Sequence, residues 1–460
     1  MDSDQSPQPS GVGASEPQNP PEAKLSTSQK KRLKQKLAKQ AKAATDGDEN
    51  GGDDKSDPSQ APTGPVMKDG ITLPKLEYHD MPGQKFFQTF PPTLPMTTLF
   101  PKKKYPRGVD LLYPDEGTIH WSTNTQKIQM AQLLEPTLND FRKAAEAHRQ
   151  MRAYARQTLK PGVKIWDWCC DLEARGRALL GTTGVNHSEA GLAFPTGVSL
   201  NNCAAHYTPN PGDERVYQDG DIVKVDIGTH VKGHIIDSAF TISFNPDYDT
   251  LVRASFEGTW AGIKAAGPDA RLVEIGNIID ETISSFEVEV GGKVKKVKPV
   301  ANLSGHGLGD YLVHSGVSIP IARNGCDPSL KMEEGNVYAV ETFASTGKGR
   351  IHDAPDCSHY MMIPGADARI EQIRNQKAKE LLRFIVRNFK TLAWCRRWLD
   401  VGGEKQHALA LKYLTDQGFV EPYPPLCDQE SSMVTQHEHT IYLKPTGKEV
   451  LSVGPDEQIP

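Results

Sequence analysis

The feature that most constrains the fold of this chain is a pair of β-branched runs near its middle. Residues 222–227 and 234–242 are rich in valine and isoleucine, and they flank a short segment that ends in Gly233. Two such runs around a short turn predict a β-hairpin. Because side chains alternate along a strand, the apolar residues of the first run fill one face and leave Asp226 on the other.

The hairpin brings two acidic side chains together. If its turn centres near Val231 and Lys232, Asp226 lies opposite Asp237, and cross-strand partners point to the same face. Two adjacent carboxylates repel each other unless a proton or a metal ion lies between them. A single aspartate on a strand is usually a solvated edge residue, whereas this pair predicts a metal site.

Composition narrows the class of protein. The chain has 460 residues, of which 37% are hydrophobic and 24% charged, and its net charge is −5. These values indicate a soluble protein and argue against a globally basic DNA-binding protein. No run of about 18 apolar residues predicts a membrane span, and the N-terminus lacks the pattern of a signal peptide. Seven scattered cysteines without a CxxC pair favour a reducing, cytoplasmic setting.

Residues 1–65 are predicted to be a disordered, low-complexity tail, because they are rich in Ser, Pro, Gln, Gly and Asp and have almost no aromatic residues. An acidic block at 46–57 follows a basic block. The tail is either a solvated segment or an electrostatic arm for RNA or a ribosome. The basic block comprises Lys30, Lys31, Arg32, Lys34, Lys36, Lys39 and Lys42.

The remainder divides into a Pro-rich, irregular arm at 66–108 and a folded body at 109–460. Within the body, residues 366–425 are charged and helical and contain two tryptophans, which predicts a helical insert with a short β wing. Helical spacing and stop signals elsewhere predict helices over 134–157, 165–180, 248–267 and 271–289, and a hairpin over 288–297 that turns at Gly291 and Gly292.

Three histidines occur in loop-like contexts. His206 precedes a Pro-Asn-Pro-Gly turn signal, and a lone histidine beside a turn is usually an exposed residue without a functional role. His306 has a glycine on each side, which allows close approach of a ligand, and His314 follows eight residues later. Gly307 and Gly309 make one uninterrupted strand unfavourable here. The alternative interpretation is therefore that His306 and His314 lie in a polar loop.

Two further carboxylates lie on predicted strands. Glu341 shares a face with apolar residues in Val337-Tyr-Ala-Val-Glu-Thr-Phe, and such a carboxylate needs a partner because an unpaired buried charge is costly. Glu438 lies in a strand that begins at Val434. His437 and His439 point to the opposite face of that strand. We therefore prefer Glu438 as a metal ligand over the alternative that the two histidines bind zinc as a pair.

The candidate ligands collected along the chain are one imidazole and four carboxylates. Such a set is too rich in oxygen for a structural zinc site, which prefers cysteine and histidine. It suits two divalent ions that share bridging carboxylates and activate one water for hydrolysis. The set is Asp226, Asp237, His306, Glu341 and Glu438.

The order of these ligands resembles that of the pita-bread metallopeptidases of peptidase family M24. Neighbouring motifs narrow the resemblance to the eukaryotic type 2 methionine aminopeptidases, over nearly the whole chain from about residue 100. Lys232, where a small polar residue is usual, is a departure at an exposed turn. The motifs are Leu192-Ala-Phe-Pro-Thr-Gly, Asn201-Asn-Cys-Ala-Ala-His206-Tyr-Thr-Pro, Asp221-Ile-Val-Lys-Val-Asp226-Ile-Gly-Thr-His, Gly305-His306-Gly, Val340-Glu341-Thr-Phe and Pro422-Tyr423-Pro-Pro.

This resemblance implies an α+β pita-bread fold: a curved antiparallel sheet covered by helices, with a winged-helix-like insert. It also implies two divalent ions (Co, Mn, Fe or Zn). One would be held by Asp226, Asp237 and Glu438, and the other by Asp237, His306, Glu341 and Glu438.

The resemblance further implies a catalytic role for Glu341 and substrate-binding roles for several histidines. Glu341 would act as acid and base, His206 would assist departure of the new amine, and His314 would position the scissile carbonyl. The methionine pocket would be formed by Phe194, His359 and Tyr423.

The expected substrate is the N-terminal methionine of a nascent polypeptide with a small second residue. The alternative is a non-catalytic pita-bread protein bound to the ribosome or to a translation initiation factor through its basic arm. Homologues of that kind lose metal ligands, whereas all five are present in this sequence.

Overall fold

The computed structural model describes residues 75–79, 85–115, 117–323 and 326–460, so the predicted tail lies outside the described residues. Within these ranges no helix is both long enough and apolar enough to cross a membrane. The helices are α1 (Met96–Leu99), α2 (Thr125–Leu133), α3 (Glu135–Thr158), α4 (Ile165–Leu180), α5 (Asp249–Ala265), α6 (Leu272–Ser284), α7 (Gln376–Phe389), α8 (Arg396–Val401) and α9 (Ala408–Asp416).

The strands before the insert are β1 (Lys75–His79), β2 (Lys85–Thr89), β3 (Val109–Leu111), β4 (Ala190–Leu200), β5 (Cys203–Ala205), β6 (Ile222–Val231), β7 (His234–Ser243), β8 (Glu287–Val290), β9 (Lys293–Lys296), β10 (Lys298–Pro299), β11 (Ser304–Gly309), β12 (Leu312–Pro320), β13 (Val337–Ser345) and β14 (His352–Asp353). Those of the insert and the C-terminal part are β15 (His359–Met362), β16 (Trp394–Cys395), β17 (Val420–Tyr423), β18 (Leu426–Cys427), β19 (Val434–Lys444) and β20 (Gly447–Val450).

Two antiparallel sheets position the candidate site. One has the strand order β4-β6-β7, and the other has the order β12-β11-β13-β19-β20-β3. Helices α3 and α4 pack on the first sheet, and helices α5 and α6 pack on the second. The fold therefore has the predicted combination of antiparallel sheets and covering helices.

The predicted hairpin is confirmed as β6 and β7, but its register is wrong by two residues. Val231 pairs with His234, so the turn is Lys232-Gly233, and Asp226 faces Ala239 while Asp237 faces Gly228. Both turn residues have positive φ, as a tight two-residue hairpin turn requires. A shift of two residues preserves the face, and so both aspartates still point the same way.

The segment around His306 is a strand, which corrects the prediction of a broken one. β11 accommodates its glycines through two register shifts against β12, after His306 and after Gly307. The glycines are needed because neighbouring backbone approaches closely. A Cβ on Gly307 would lie 2.1 Å from the carbonyl oxygen of Ser315.

The predicted insert contains the helices α7, α8 and α9 and the strands β16 and β17. These strands pair with β15, which precedes the insert, in a three-stranded sheet that is the expected β wing. It does not have a core of its own. Leu381, Trp394 and Trp398 belong to the same buried cluster as Leu138 and Met151 of α3. This shared core ties β15 and β17 rigidly to the body.

The predicted arm is less irregular than expected. β1 and β2 pair as an antiparallel hairpin within it, while Phe90 and Phe100 pack against the main core. The helix predicted over 271–289 was too long. It ends at Ser284, and the hairpin β8–β9 follows with its turn at Gly291 and Gly292.

Candidate metal centre

The five predicted ligands converge where the two sheets meet. Asp226 and Asp237 come from β6 and β7, His306 from β11, Glu341 from β13 and Glu438 from β19. They form two groups, each with ligand atoms within 4.8 Å of one another: Asp237–His306–Glu438 and Asp226–Glu341–Glu438. Glu438 belongs to both groups, as a bridging ligand would.

Strand register explains this convergence. Glu341 and Glu438 are directly opposite each other on β13 and β19, so their side chains share one face. His306 is opposite Ala339 on the other side of β13, two residues from Glu341 and therefore on that same face.

Hydroxyl groups join the two sheets at the site. The Thr440 hydroxyl accepts from the backbone N–H of Asp237 (2.8 Å) and donates to the backbone oxygen of the same residue (2.7 Å). The Ser238 hydroxyl donates to the backbone oxygen of Glu438 at 2.6 Å. These bonds hold the ligands of one sheet against those of the other.

The carboxylates repel one another in a largely dry environment. Burial raises the pKa of Asp226 to about 6, with a hydrogen bond from Gln436 acting in the opposite direction. Burial, followed by the charges of the other site carboxylates, also raises the pKa of Asp237, Glu341 and Glu438 well above the ordinary range. Four acidic groups this close favour a bound cation.

The donor set fits two divalent ions. Oδ1 of Asp226 and both carboxylate oxygens of Glu438 are buried and have no hydrogen-bond partner among the described residues. Such orphaned oxygens are costly unless they coordinate a cation. The imidazole of His306 supplies a nitrogen donor, with its Nε2 3.7 Å from Oδ2 of Asp237 and 3.9 Å from Oε1 of Glu438.

The imidazole of His306 has the protonation state that a ligand needs. Burial lowers its pKa to about 3, and the neighbouring His314 contributes in the same direction. The ring is therefore neutral near pH 7, with a lone pair available for coordination. The rings of His306 and His314 meet edge to face, with centroids 4.4 Å apart.

The carboxylates lie in a cavity of about 410 Å³. Its walls include the predicted substrate-binding residues His206, His314 and His359 and the predicted pocket residues Phe194 and Tyr423. The volume suits a methionine side chain and the adjoining peptide bond. The structure thus brings every sequence-predicted site residue to one cavity.

His206 is held in an unusual backbone conformation beside this cavity. Its φ is +63°, in the left-handed region that non-glycine residues seldom adopt. Ser358 stabilises the segment, because its hydroxyl donates to the backbone oxygen of His206 and accepts from the N–H of Thr208, both at 3.2 Å. The hydroxyl of Ser358 also contacts Nδ1 of His359 at 3.1 Å.

Both of these imidazoles are poised in the neutral form. Burial lowers the pKa of His206 to about 3 and that of His359 to about 4. Nδ1 of His206 is buried and has no hydrogen-bond partner among the described residues. Both neutral rings line the cavity, where an imidazole can donate or accept a hydrogen bond.

One polar contact of the site escaped sequence reasoning. The side chain of Gln436, on β19, donates to Oε1 of Glu341 at 2.7 Å and to Oδ2 of Asp226 at 3.2 Å. This amide accounts for the grouping of Glu341 with Asp226. The period of two along the strand could have indicated it, because Gln436 lies two residues before Glu438 on the same face.

Comparison with known proteins agrees with this geometry. Residues 139–373 match the model of metallopeptidase family M24. Methionine aminopeptidase 2A of Arabidopsis thaliana is 48% identical over 370 residues, covering 80% of this chain and 82% of that protein. Methionine aminopeptidase 2 of Schizosaccharomyces pombe is 48% identical over 370 residues, covering 80% and 85%.

A solved structure, that of a thermophilic Arx1, has a TM-score of 0.58 with this chain at 16% identity, covering 72% of this chain and 93% of that one. At that identity the likeness concerns the fold alone. Sequence identity to the plant and yeast proteins identifies the activity. The chain belongs to metallopeptidase family M24, among the type 2 methionine aminopeptidases, and is a dimetal enzyme that removes the initiator methionine from nascent proteins.

Proposed function

We propose that the cavity described above is the site of this hydrolysis and that its residues divide the work as the sequence predicts. Asp226, Asp237 and Glu438 would hold one ion. The second ion would be held by His306 and Glu341 together with the shared residues Asp237 and Glu438. The observation that supports two ions with a shared ligand is the presence of Glu438 in both compact groups of ligand atoms.

When bound, the two ions would supply a water of lowered pKa and positive charge beside the carbonyl oxygen. Glu341 accepts one proton from this water while the water oxygen attacks the carbonyl carbon of methionine. The carbon–nitrogen bond of the peptide then breaks, and Glu341 passes the proton to the departing amine. The buried position of its carboxylate supports this role, because burial raises the carboxyl pKa and so makes the group a stronger base than an exposed glutamate.

Two histidines orient the substrate. His206 lines the cavity and assists departure of the new amine. His314 lines the same cavity, with its ring against that of His306, and positions the scissile carbonyl. Neutral imidazoles suit both tasks, because they can donate or accept a hydrogen bond near pH 7.

The methionine side chain occupies the part of the cavity bounded by Phe194, His359 and Tyr423. His359 and Tyr423 are directly opposite each other on β15 and β17, and the rings of Tyr423 and His206 meet edge to face at 5.9 Å. This wall belongs to the insert at 366–425 and its flanking strands. A small second residue of the substrate fits the tight space beyond the scissile bond.

Methionine release from a Met-Ala-Ser peptide tests the proposal directly. With Mn²⁺ or Co²⁺, the purified protein should release free methionine, and Asp237→Ala should abolish release because both ions lose a ligand. Asp353→Ala is the matched control, since this exposed aspartate on β14 does not line the cavity. Release that persists in Asp237→Ala, or no release with any divalent ion, would contradict the assignment.

We also propose that the basic block of the N-terminal segment binds the ribosome, which would bring the site to nascent chains in the cytoplasm. Support comes from seven lysines and arginines within residues 30–42 and the affinity of such blocks for phosphate backbones. Full-length protein with Lys30, Lys31, Arg32 and Lys34 changed to glutamine should co-sediment less with ribosomes at low salt. Equal co-sedimentation would exclude the block as the contact.

A further inference from the structure

Gln436 is a buried amide at the centre of the site. It is 1% exposed and lies on β19, two residues before Glu438 and on the same face. Most buried polar side chains are hydrogen-bonded, and in Gln436 the amide nitrogen makes these bonds, whereas the amide oxygen has no partner among the described residues. The partners of this amide therefore indicate what it does.

The carboxamide nitrogen of Gln436 bridges carboxylates from the two sheets. It donates to Oε1 of Glu341 at 2.7 Å and to Oδ2 of Asp226 at 3.2 Å. The reverse orientation would place the amide oxygen against two acidic groups, so the donors must face them. Both N–H bonds of the amide group are thus used to hold ligand side chains.

The backbone of Gln436 is also fixed relative to the opposite sheet. The hydroxyl of Thr241, on β7, accepts from the Gln436 N–H at 2.9 Å and donates to its carbonyl oxygen at 2.8 Å. Two bonds to one hydroxyl leave little freedom for the side chain to drift. The amide is therefore rigid enough to set the positions of its partners.

We propose that Gln436 is a positioning residue of the metal centre: its amide holds the carboxylates of Asp226 and Glu341 together across the sheet junction and thereby preorganises the site for divalent ions. The inference rests on the proposed function for the identity of the ligands. It adds a residue that coordinates nothing itself and acts through two residues that do.

The physical reason is mutual repulsion between the two carboxylates. Without the amide, they would rotate apart in the apo protein, and a binding ion would have to bring them back together. Outer partners of metal ligands typically contribute tenfold to a hundredfold in affinity or activity. We expect Gln436→Met, which keeps the length and volume but removes the donors, to weaken Mn²⁺ binding by about tenfold to a hundredfold.

Titration calorimetry of the full chain with Mn²⁺ measures this effect without reference to activity. Gln150→Met is a matched control, because Gln150 is another fully buried amide that donates to a carboxylate, Glu146, at 2.8 Å. It lies on α3, outside the cavity. The control should change thermal stability but leave Mn²⁺ affinity at the wild-type value.

Gln436→Asn is a second variant, since a shorter amide cannot reach both carboxylates, and it should also bind Mn²⁺ more weakly. Wild-type affinity in either folded Gln436 variant would overturn the proposal. Failure of both variants to fold, while Gln150→Met folds, would assign Gln436 to fold stability and also overturn it. Methionine release by the wild-type protein is assayed separately, so that loss of the proposed function is not confused with either outcome.

Discussion

At the scale of single residues, a missing side chain shapes the wall of the proposed methionine pocket. Gly228 on β6 is the register partner of Phe194 on β4, and the phenyl ring lies over the glycine. A Cβ built on Gly228 would be 2.3 Å from Cε1 of that ring. The ring occupies its position in the cavity wall only because residue 228 has no side chain.

Gly228→Ala should therefore displace Phe194 into the methionine pocket. Overpacking of this kind costs about 1–3 kcal/mol, and part of that strain should appear as weaker substrate binding. We expect KM for Met-Ala-Ser to rise by about tenfold, with a smaller change in kcat, because the ligands themselves are not touched. Steady-state kinetics with saturating Mn²⁺ measure both constants. An unchanged KM would show that the ring does not limit the pocket.

The proposed ligands could be picked out from the sequence because acidic residues on predicted strands require a partner, and Glu341, on an apolar strand face, stands out in this way. Gln436 could not be recognised by the same reasoning. A neutral amide on a strand causes no electrostatic conflict, and its function appears only when Asp226 and Glu341 are placed beside it. The left-handed φ of His206 could not be predicted from the sequence either, since it depends on the contact with Ser358.

At the scale of elements, the hairpin β6–β7 shows what a sequence pattern determines and what it leaves open. Alternation of apolar residues determines the face of each aspartate, and the prediction was right on this point. The position of the turn determines which residue pairs with each aspartate. The prediction placed the turn one residue early and therefore paired Asp226 with Asp237, whereas in the structure Asp226 pairs with Ala239. The site tolerates this error because a shift of two residues keeps the side chains on one face.

The junction between the two sheets is the element-scale feature that no strand pattern encodes. Strands β7 and β19 contact each other without belonging to one sheet. They are joined by side-chain hydroxyls of Ser238, Thr241 and Thr440, each bonded to backbone of the facing strand. Serine and threonine are common on strands, so their composition alone gave no reason to predict this junction.

At the scale of the whole molecule, the helices and sheets bury imidazoles as well as apolar groups. His148 of α3 is fully buried against β7, with Nε2 3.2 Å from the carbonyl oxygen of Ser238 and with Nδ1 unpartnered among the described residues. Burial lowers its pKa to about 3, and Arg152 contributes in the same direction. In the unfolded chain the imidazole has an ordinary pKa of about 6.5.

This difference in pKa makes the stabilising contribution of His148 depend on pH. The unfolded state binds a proton below pH 6.5 and the folded state only near pH 3, so stability is fully present above about 6.5 and is lost as the pH falls. The loss approaches about 1.4 kcal/mol per pH unit. His148→Gln removes this titration and retains a polar group.

The free-energy difference between the wild-type protein and His148→Gln isolates the imidazole, because the site carboxylates titrate in both proteins and cancel. Urea unfolding in EDTA at several pH values between 7.5 and 4.5 gives this difference without a contribution from metal release. We expect any advantage of the wild-type protein to shrink steadily below pH 6.5. A difference that stays constant across this range would mean that His148 keeps the same protonation state in the folded and unfolded chain.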